Sequence, residues 1–370
     1  MAATPALIHV ESIRTAVPSR VAGAGLSLPI TVSGPPLSAA ELQRRFRAVL
    51  YYRGAGVREP EAAARERAAW VNESLSAALV DHPEMAGRLR RRGDGDDGRL
   101  WEVKLRDTGV RLVQASAETT MAAFLEATGK DRERKETALA WWTDVDVDEP
   151  DICAPFFMQL TRFQDGGYAI GASSSLLLAD PLSLISFLKS WARKHAQLQA
   201  QNKLVANPVI QYTRYLQNPG AAKRLKSVPL DLGSAAAAAA DATTTVLFWA
   251  ANVSDHRGLA AACVGKACEK LGAKEPPRRF TVVGPLGRDG SGGLNVQACT
   301  ADAQTPCHGH GHALRVANWR EAGLEELALE GSKPVHVSYC VSPCADEGLV
   351  VVMPAGGTEL LISATLPNYM

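Results

Sequence analysis

Gln159-Leu160-Thr161-Arg162-Phe163, then Gly166-Gly167-Tyr168-Ala169-Ile170-Gly171, then Ser173-Ser174-Ser175-Leu176-Leu177-Leu178-Ala179-Asp180-Pro181 is the stretch that decides how this chain folds. Phe156–Phe163 and Tyr168–Ser173 are β-rich and flank Asp165-Gly166-Gly167, a composition that predicts a hairpin. Beyond Pro181 the pattern changes. Leu184, Phe187, Leu188 and Trp191 recur at helical spacing, so 182–198 is predicted as an amphipathic helix. A hairpin thus feeds through one short turn into a helix, and the turn carries Asp180.

Working outward, the segment His9–Val17 reads as a strand closed by Pro18, and Ser38 with Glu41 has the spacing of a helix capping box. Phe46–Tyr52 is a second β-rich run, Ala62–Leu79 has apolar residues at helical spacing, and Trp101–Val113 alternates around Asp107-Thr108-Gly109. Downstream, composition shifts. Residues 199–242 carry Pro208, Pro219 and Pro229 and then the alanine run 235–240, which reads as a crossover linker with a low-complexity insert. Thr243–Ala251 predicts a strand, Arg257–Leu271 a helix and Arg278–Val283 a strand, with further strands at Val335–Val341, Gly348–Met353 and Glu359–Ala364. The expected organisation is an N-terminal domain over 1–198, the linker over 199–242 and a C-terminal domain over 243–370.

Composition narrows the function classes. With 40 Lys+Arg against 39 Asp+Glu, the chain has no whole-molecule attraction for nucleic acid or an anionic membrane. The run Arg88-Leu89-Arg90-Arg91-Arg92 faces Asp94, Asp96 and Asp97 and is expected to be a solvated loop. No apolar run approaches the roughly 20 residues of a membrane span, and Met1–Val10 shows no secretory pattern. The seven cysteines are scattered and odd in number, so reduced thiols in the cytosol are the expectation.

Several consecutive segments resemble the BAHD-type plant acyltransferases, in that family's order. They are Val10-Glu11-Ser12-Ile13 to Val17-Pro18, Val71-Asn72-Glu73-Ser74-Leu75-Ser76 leading to Ala86-Gly87-Arg88-Leu89, and the hairpin quoted above. The resemblance implies a two-domain chloramphenicol-acetyltransferase-like α/β fold of mixed sheets flanked by helices, the second domain shortened. The family's active-site motif is H-x-x-x-D-G. Asp180 matches its aspartate, implied to be structural, but Leu176 stands where the family has its general-base histidine. Leucine cannot take the acceptor's proton, and loss of a positioned base costs about 10²–10⁴ in rate. Ser173, Ser174 and Ser175 are poor bases without an activating partner. The family's second motif, D-F-G-W-G, is replaced by Ala328-Leu329-Glu330-Gly331-Ser332 before Lys333-Pro334-Val335. Between Gly293 and Ala313 the chain carries mostly small and polar residues where the family has helices beside its CoA channel. No catalytic residue is therefore expected, and no cofactor; acyl-CoA enters only if the chain is a weak acyltransferase after all.

One branch of the family already lacks the second motif, the eceriferum/glossy proteins of cuticular wax. Glu326-Leu327-Ala328-Leu329-Glu330-Gly331-Ser332-Lys333-Pro334 is similar to that branch, as are Ser12–Val21 and Trp101–Ala115. That resemblance implies a non-catalytic accessory protein assisting very-long-chain fatty acid elongation. Its partner would be the elongase condensing enzyme, at the endoplasmic reticulum without a transmembrane span, and outside that complex it would be a monomer. The alternatives are an atypical acyl-CoA-dependent acyltransferase and a small-molecule-binding regulatory protein.

Other constellations read more plainly. Cys307-His308-Gly309-His310-Gly311-His312 lacks the separated ligand pairs of a structural zinc site, so no metal is expected. Cys340 and Cys344 are expected to be buried or half-buried thiols rather than a redox pair. Gly284-Pro285-Leu286-Gly287-Arg288-Asp289-Gly290 opens no helix and so reads as a connecting loop. Asp255 is a natural cap beside a surface His256, and His195 is expected on the polar side of its helix.

Overall fold

The computed structural model describes residues 7–21, 25–54, 56–92, 100–105, 108–201, 226–229, 243–253, 255–273, 276–286, 293–300, 313–342 and 347–368. Its frame is two mixed sheets flanked by helices, as expected. In spatial order the seven-stranded sheet is β14 (His336–Ser342), β3 (Arg45–Tyr52), β8 (Tyr168–Ser175), β7 (Phe156–Arg162), β6 (Val110–Ala117), β1 (Leu7–Ala16) and β9 (Lys226–Pro229). The nine-stranded sheet runs β13 (Arg315–Ala317), β10 (Thr243–Ala251), β16 (Glu359–Pro367), β15 (Gly348–Pro354), β11 (Arg279–Pro285), β12 (Leu294–Thr300), β2 (Ser27–Ser33), β5 (Leu100–Lys104) and β4 (Arg88–Arg91).

The sheets interleave the two ends of the chain. Strands β2, β4 and β5 come from the first 198 residues yet lie in the nine-stranded sheet, where β2 joins β12 in parallel. In return β14 leaves the C-terminal segment and pairs antiparallel with β3. Spans 1–198 and 243–370 therefore name stretches of chain rather than sheets.

The helices form where the sequence supplies caps and apolar faces. In α1 (Ala39–Leu42) the Ser38 hydroxyl accepts from the Glu41 N–H, and the Glu41 carboxylate accepts from the Ser38 N–H at 2.8 Å. The long helix α2 (Glu61–Asp81) buries Val71, Ser74, Leu75, Ala78 and Leu79. Thr120 caps α3 (Met121–Glu126), and Gly129–Glu136 forms α4. The helix after the decisive turn is α5 (Pro181–Gln201), which buries Leu184, Phe187, Leu188 and Trp191 as its pattern predicts. Asp255 caps α6 (His256–Leu271), which lies on the nine-stranded sheet against Phe248, Val350 and Ile362.

One continuous core joins the sheets. Phe46, Phe156, Ile170 and Leu176 from the first share it with Leu247, Val283, Val351 and Leu361 from the second, and with Phe187 and Leu188 of α5. The hairpin of β7 and β8 is in register from Phe156↔Ser174 to Arg162↔Tyr168. Gly171 in β8 is required: a Cβ there would meet the Leu139 carbonyl oxygen at 2.0 Å.

Candidate functional site

The end of β8 and the turn that leaves it are packed shut. Ser173, Ser174, Ser175 and Leu176 are each 1% exposed or less. Backbone bonds fix the turn: the Ser175 carbonyl accepts from the N–H groups of Leu178 at 3.0 Å and Ala179 at 3.2 Å. The Ser175 hydroxyl accepts from the Leu177 N–H at 3.2 Å. The Leu176 N–H donates to the Arg44 carbonyl at 3.0 Å, so this position is tied to the start of β3. The Ser173 hydroxyl donates to the Ala140 carbonyl at 3.1 Å and that of Ser174 to the Ser175 carbonyl at 3.4 Å. These hydroxyls serve the backbone and meet no base.

Asp180 caps α5. Its carboxylate accepts from the Ser183 N–H at 3.0 Å and from the Ser183 hydroxyl at 2.5 Å, and its carbonyl accepts from the Leu184 N–H. Burial raises the Asp180 carboxyl above the ordinary carboxylate value, and the bonds from Ser183 pull the other way. Capping accounts for this aspartate without any substrate.

Arg44 crosses from the first sheet to the second beside the same turn. Its Nη2 donates to the Thr281 hydroxyl on β11 at 2.9 Å and approaches Glu41 at 3.2 Å and Glu347 at 3.8 Å. The side chain is 3% exposed, so a cation stands in the seam next to Leu176.

The stretch from Leu329 to Ser332 is a tight turn. Leu329 and Ser332 exchange both backbone bonds, with Glu330 at φ 49° and Gly331 at φ 78° between them. Glycine suits such a left-handed position and glutamate does not. The Glu330 carboxylate is held by Arg67 of α2, whose Nε donates at 3.0 Å. The Arg67 guanidinium also lies over the Tyr168 ring at 4.4 Å, and Tyr168 stacks on Tyr52. The turn is thereby fastened to α2 and to β8.

A half-open cleft of about 540 Å³ opens beside the first turns of α5. Leu182, Ile185 and Lys189 line one side, and Trp249, Pro354 and Ala355 of the second sheet line the other. Lys189 donates to the Ala322 carbonyl at 2.5 Å, and the Trp249 indole N–H donates to Glu321 at 2.8 Å.

A family model described as the Transferase family matches residues 57–256, more than half of the 370-residue chain. This chain belongs to that family. It is 30% identical over 192 residues to a hydroxycinnamoyl-CoA:piscidic acid hydroxycinnamoyltransferase of Actaea racemosa, covering 49% of this chain and 40% of that protein. It is 22% identical to Protein ECERIFERUM 2 of Arabidopsis thaliana, covering 97% of this chain and 95% of that one. The chain spans well under half the length of the first transferases it matches. Vinorine synthase superposes on 98% of this chain and 95% of its own at a TM-score of 0.49 with 15% identity. The family match, not that likeness, carries the assignment.

Two sequence expectations are corrected. His195 does not lie on the polar side of α5: it is 2% exposed, because it faces α2. Its Nδ1 lies 3.0 Å from the Ser74 hydroxyl, which also accepts from the Trp191 indole N–H at 2.8 Å. The basic run at 88–92 is not a solvated loop. Arg88–Arg91 is strand β4, and Arg88 is buried, its guanidinium donating to the Gly87 carbonyl at 2.8 Å and the Gly109 carbonyl at 3.0 Å. Burial, with Arg111 nearby, pushes the Arg88 pKa down to about 10.

Of the remaining candidates, Cys340 is buried as expected. Its thiol donates to Glu133 at 3.1 Å, and burial pushes its pKa up to about 11. Asp255 caps α6, and His256 is half-buried. Residues 307–312, Cys344, 287–290 and most of 199–242 lie outside the described residues. Among the described residues no group of His, Cys, Asp and Glu could hold a metal ion, and no helix is long and apolar enough to cross a membrane.

Proposed function

We propose that this chain is a non-catalytic member of the family that assists very-long-chain fatty acid elongation for cuticular wax. It would act from the cytoplasm, peripherally at the endoplasmic reticulum, as a monomer that engages a fatty-acid elongase condensing enzyme. The observation that carries the reading is Leu176, an apolar side chain fully buried in the shared core, where the sequence resemblance puts the family's base. No proton can be taken there. The likeness to ECERIFERUM 2 along nearly the whole of both chains supports the branch.

The test is co-expression in yeast with a plant condensing enzyme, reading fatty-acid chain length. Longer acyl chains only when both proteins are present, unchanged by Leu176→Val, support an accessory role. No change in chain length with any condensing enzyme removes the elongation role. The cleft beside α5 favours a second reading, a small-molecule-binding regulator, to which saturable ligand-induced thermal stabilisation without turnover would point. The hydroxycinnamoyltransferase likeness keeps a third reading, an atypical acyltransferase. Turnover of an acyl-CoA with a hydroxyl or amine acceptor, raised by Leu176→His, would establish that one.

A further inference from the structure

The outer strands of the seven-stranded sheet bring together a serine, a histidine and a carboxylate that the family motifs do not contain. On β9, Ser227 pairs across the sheet with His9 of β1, and Glu118 follows β6 on the other side. The Ser227 Oγ lies 2.8 Å from His9 Nδ1, and the Glu118 Oε1 lies 2.6 Å from His9 Nε2. His9 is 2% exposed, whereas Ser227 is open to solvent. A cavity of about 150 Å³ adjoins His9 and Glu118, lined also by Arg58, Glu59, Arg162 and Gln164, but Ser227 is not part of its wall.

We propose that Ser227, His9 and Glu118 form a nucleophile–base–carboxylate relay able to cleave a small, solvent-borne carboxylic ester. A carboxylate on Nε2 fixes the tautomer with the proton on that nitrogen, which leaves the Nδ1 lone pair facing the serine hydroxyl. The two ring nitrogens exchange the roles they have in the familiar serine triad, and the proton bookkeeping is the same. The Ser227 Oγ bonds to the ester carbonyl carbon while its proton passes to His9 Nδ1. The tetrahedral centre collapses, the C–O bond to the alcohol breaks, and the alcohol leaves with the proton from His9. Water then attacks the acyl-serine, giving up a proton to His9 that returns to Ser227 as the carboxylic acid is released.

The experiment uses the full chain and a fluorophosphonate probe, with the adduct mapped by peptide mass spectrometry, alongside hydrolysis of p-nitrophenyl acetate. The expected result is an adduct on Ser227 that is absent in Ser227→Ala and forms at least about tenfold more slowly in Glu118→Gln and His9→Gln. Ester hydrolysis should fall in parallel. His9 is buried, so its variant counts only if its unfolding midpoint matches the parent; Glu118→Gln, at a side chain 42% exposed, keeps the test sharp if it does not. No Ser227 adduct, or one formed equally fast in Glu118→Gln, would overturn the relay and leave a polar row that merely pins β9 to β1.

Discussion

The turn at Ser173–Asp180 and the row Ser227–His9–Glu118 both carry hydroxyls and a carboxylate and both adjoin the seven-stranded sheet, yet they are opposite in kind. In the first, hydroxyls turn onto backbone carbonyls, the one carboxylate caps a helix, and Leu176 sits in a core shared by both sheets. In the second, side chains bond to side chains, and His9 and Glu118 border a small cavity. Around Leu176 the polar groups are consumed by packing and backbone bonds. Groups able to exchange a proton lie elsewhere on the sheet, where cross-strand register alone brings them together.

The largest effect that could break this comparison is at Leu176 itself. If the position is core, Leu176→Ala should destabilise by about 2–5 kcal/mol in denaturant unfolding, the range for emptying a packed leucine site. A loss below about 1 kcal/mol would mean the site is roomier than its zero exposure implies, and the contrast with the outer row would weaken. Next comes Ser74→Ala. It strips a partner from the Trp191 indole and from His195 at the contact of α2 with α5, and should cost about 1–3 kcal/mol.

The same contact gives a pH dependence. Burial lowers the His195 pKa in the folded chain below that of an unfolded histidine, near 6.5. The unfolded state therefore binds the extra proton first. The neutral imidazole's stabilisation is complete above about pH 6.5 and is lost as pH falls through the folded value. Half-buried His256 and His336 shift the same way. The unfolding midpoint should drop between pH 7.5 and 5.5, and the drop should shrink in His195→Asn; an undiminished drop would move the titration to the other histidines.

Much of this arrangement was legible beforehand, because local pattern and local structure agree. The hairpin across Asp165–Gly167, the capping box at Ser38 and the apolar stripe of α5 each declare themselves within a few residues. What did not show was long-range. Lys333-Pro334 was expected to lead into a strand of the C-terminal segment, and the strand is there, but β14 pairs with β3 nearly 300 residues away in sequence (His336 opposite Tyr51). Such exchanges follow from which edges remain unpaired, which no local window encodes. His195 misled for a related reason: its neighbour Lys194 is exposed enough to pair with Asp81, but α2 covers the adjacent face of the helix. His9 and Ser227 are 218 positions apart, so only the register of β9 on β1 makes them neighbours.

Asp180 supplies the finest discrimination between a structural and a chemical reading of the turn at Ser173–Asp180. As a cap, its carboxylate is needed only as an acceptor for the Ser183 N–H and hydroxyl. Asp180→Ala removes both bonds and should cost about 0.5–2 kcal/mol. Asp180→Asn keeps an acceptor oxygen and no longer carries a charge that burial disfavours, so its unfolding midpoint should lie close to the parent's. Asparagine and aspartate cap helices about equally well, whereas an aspartate serving as a charge would not tolerate the change. If Asp180→Asn is as damaging as Asp180→Ala, the negative charge itself is in use. Arg44, the buried cation tied to this turn through the Leu176 N–H, would then be the first group to examine for a longer-range electrostatic debt to it.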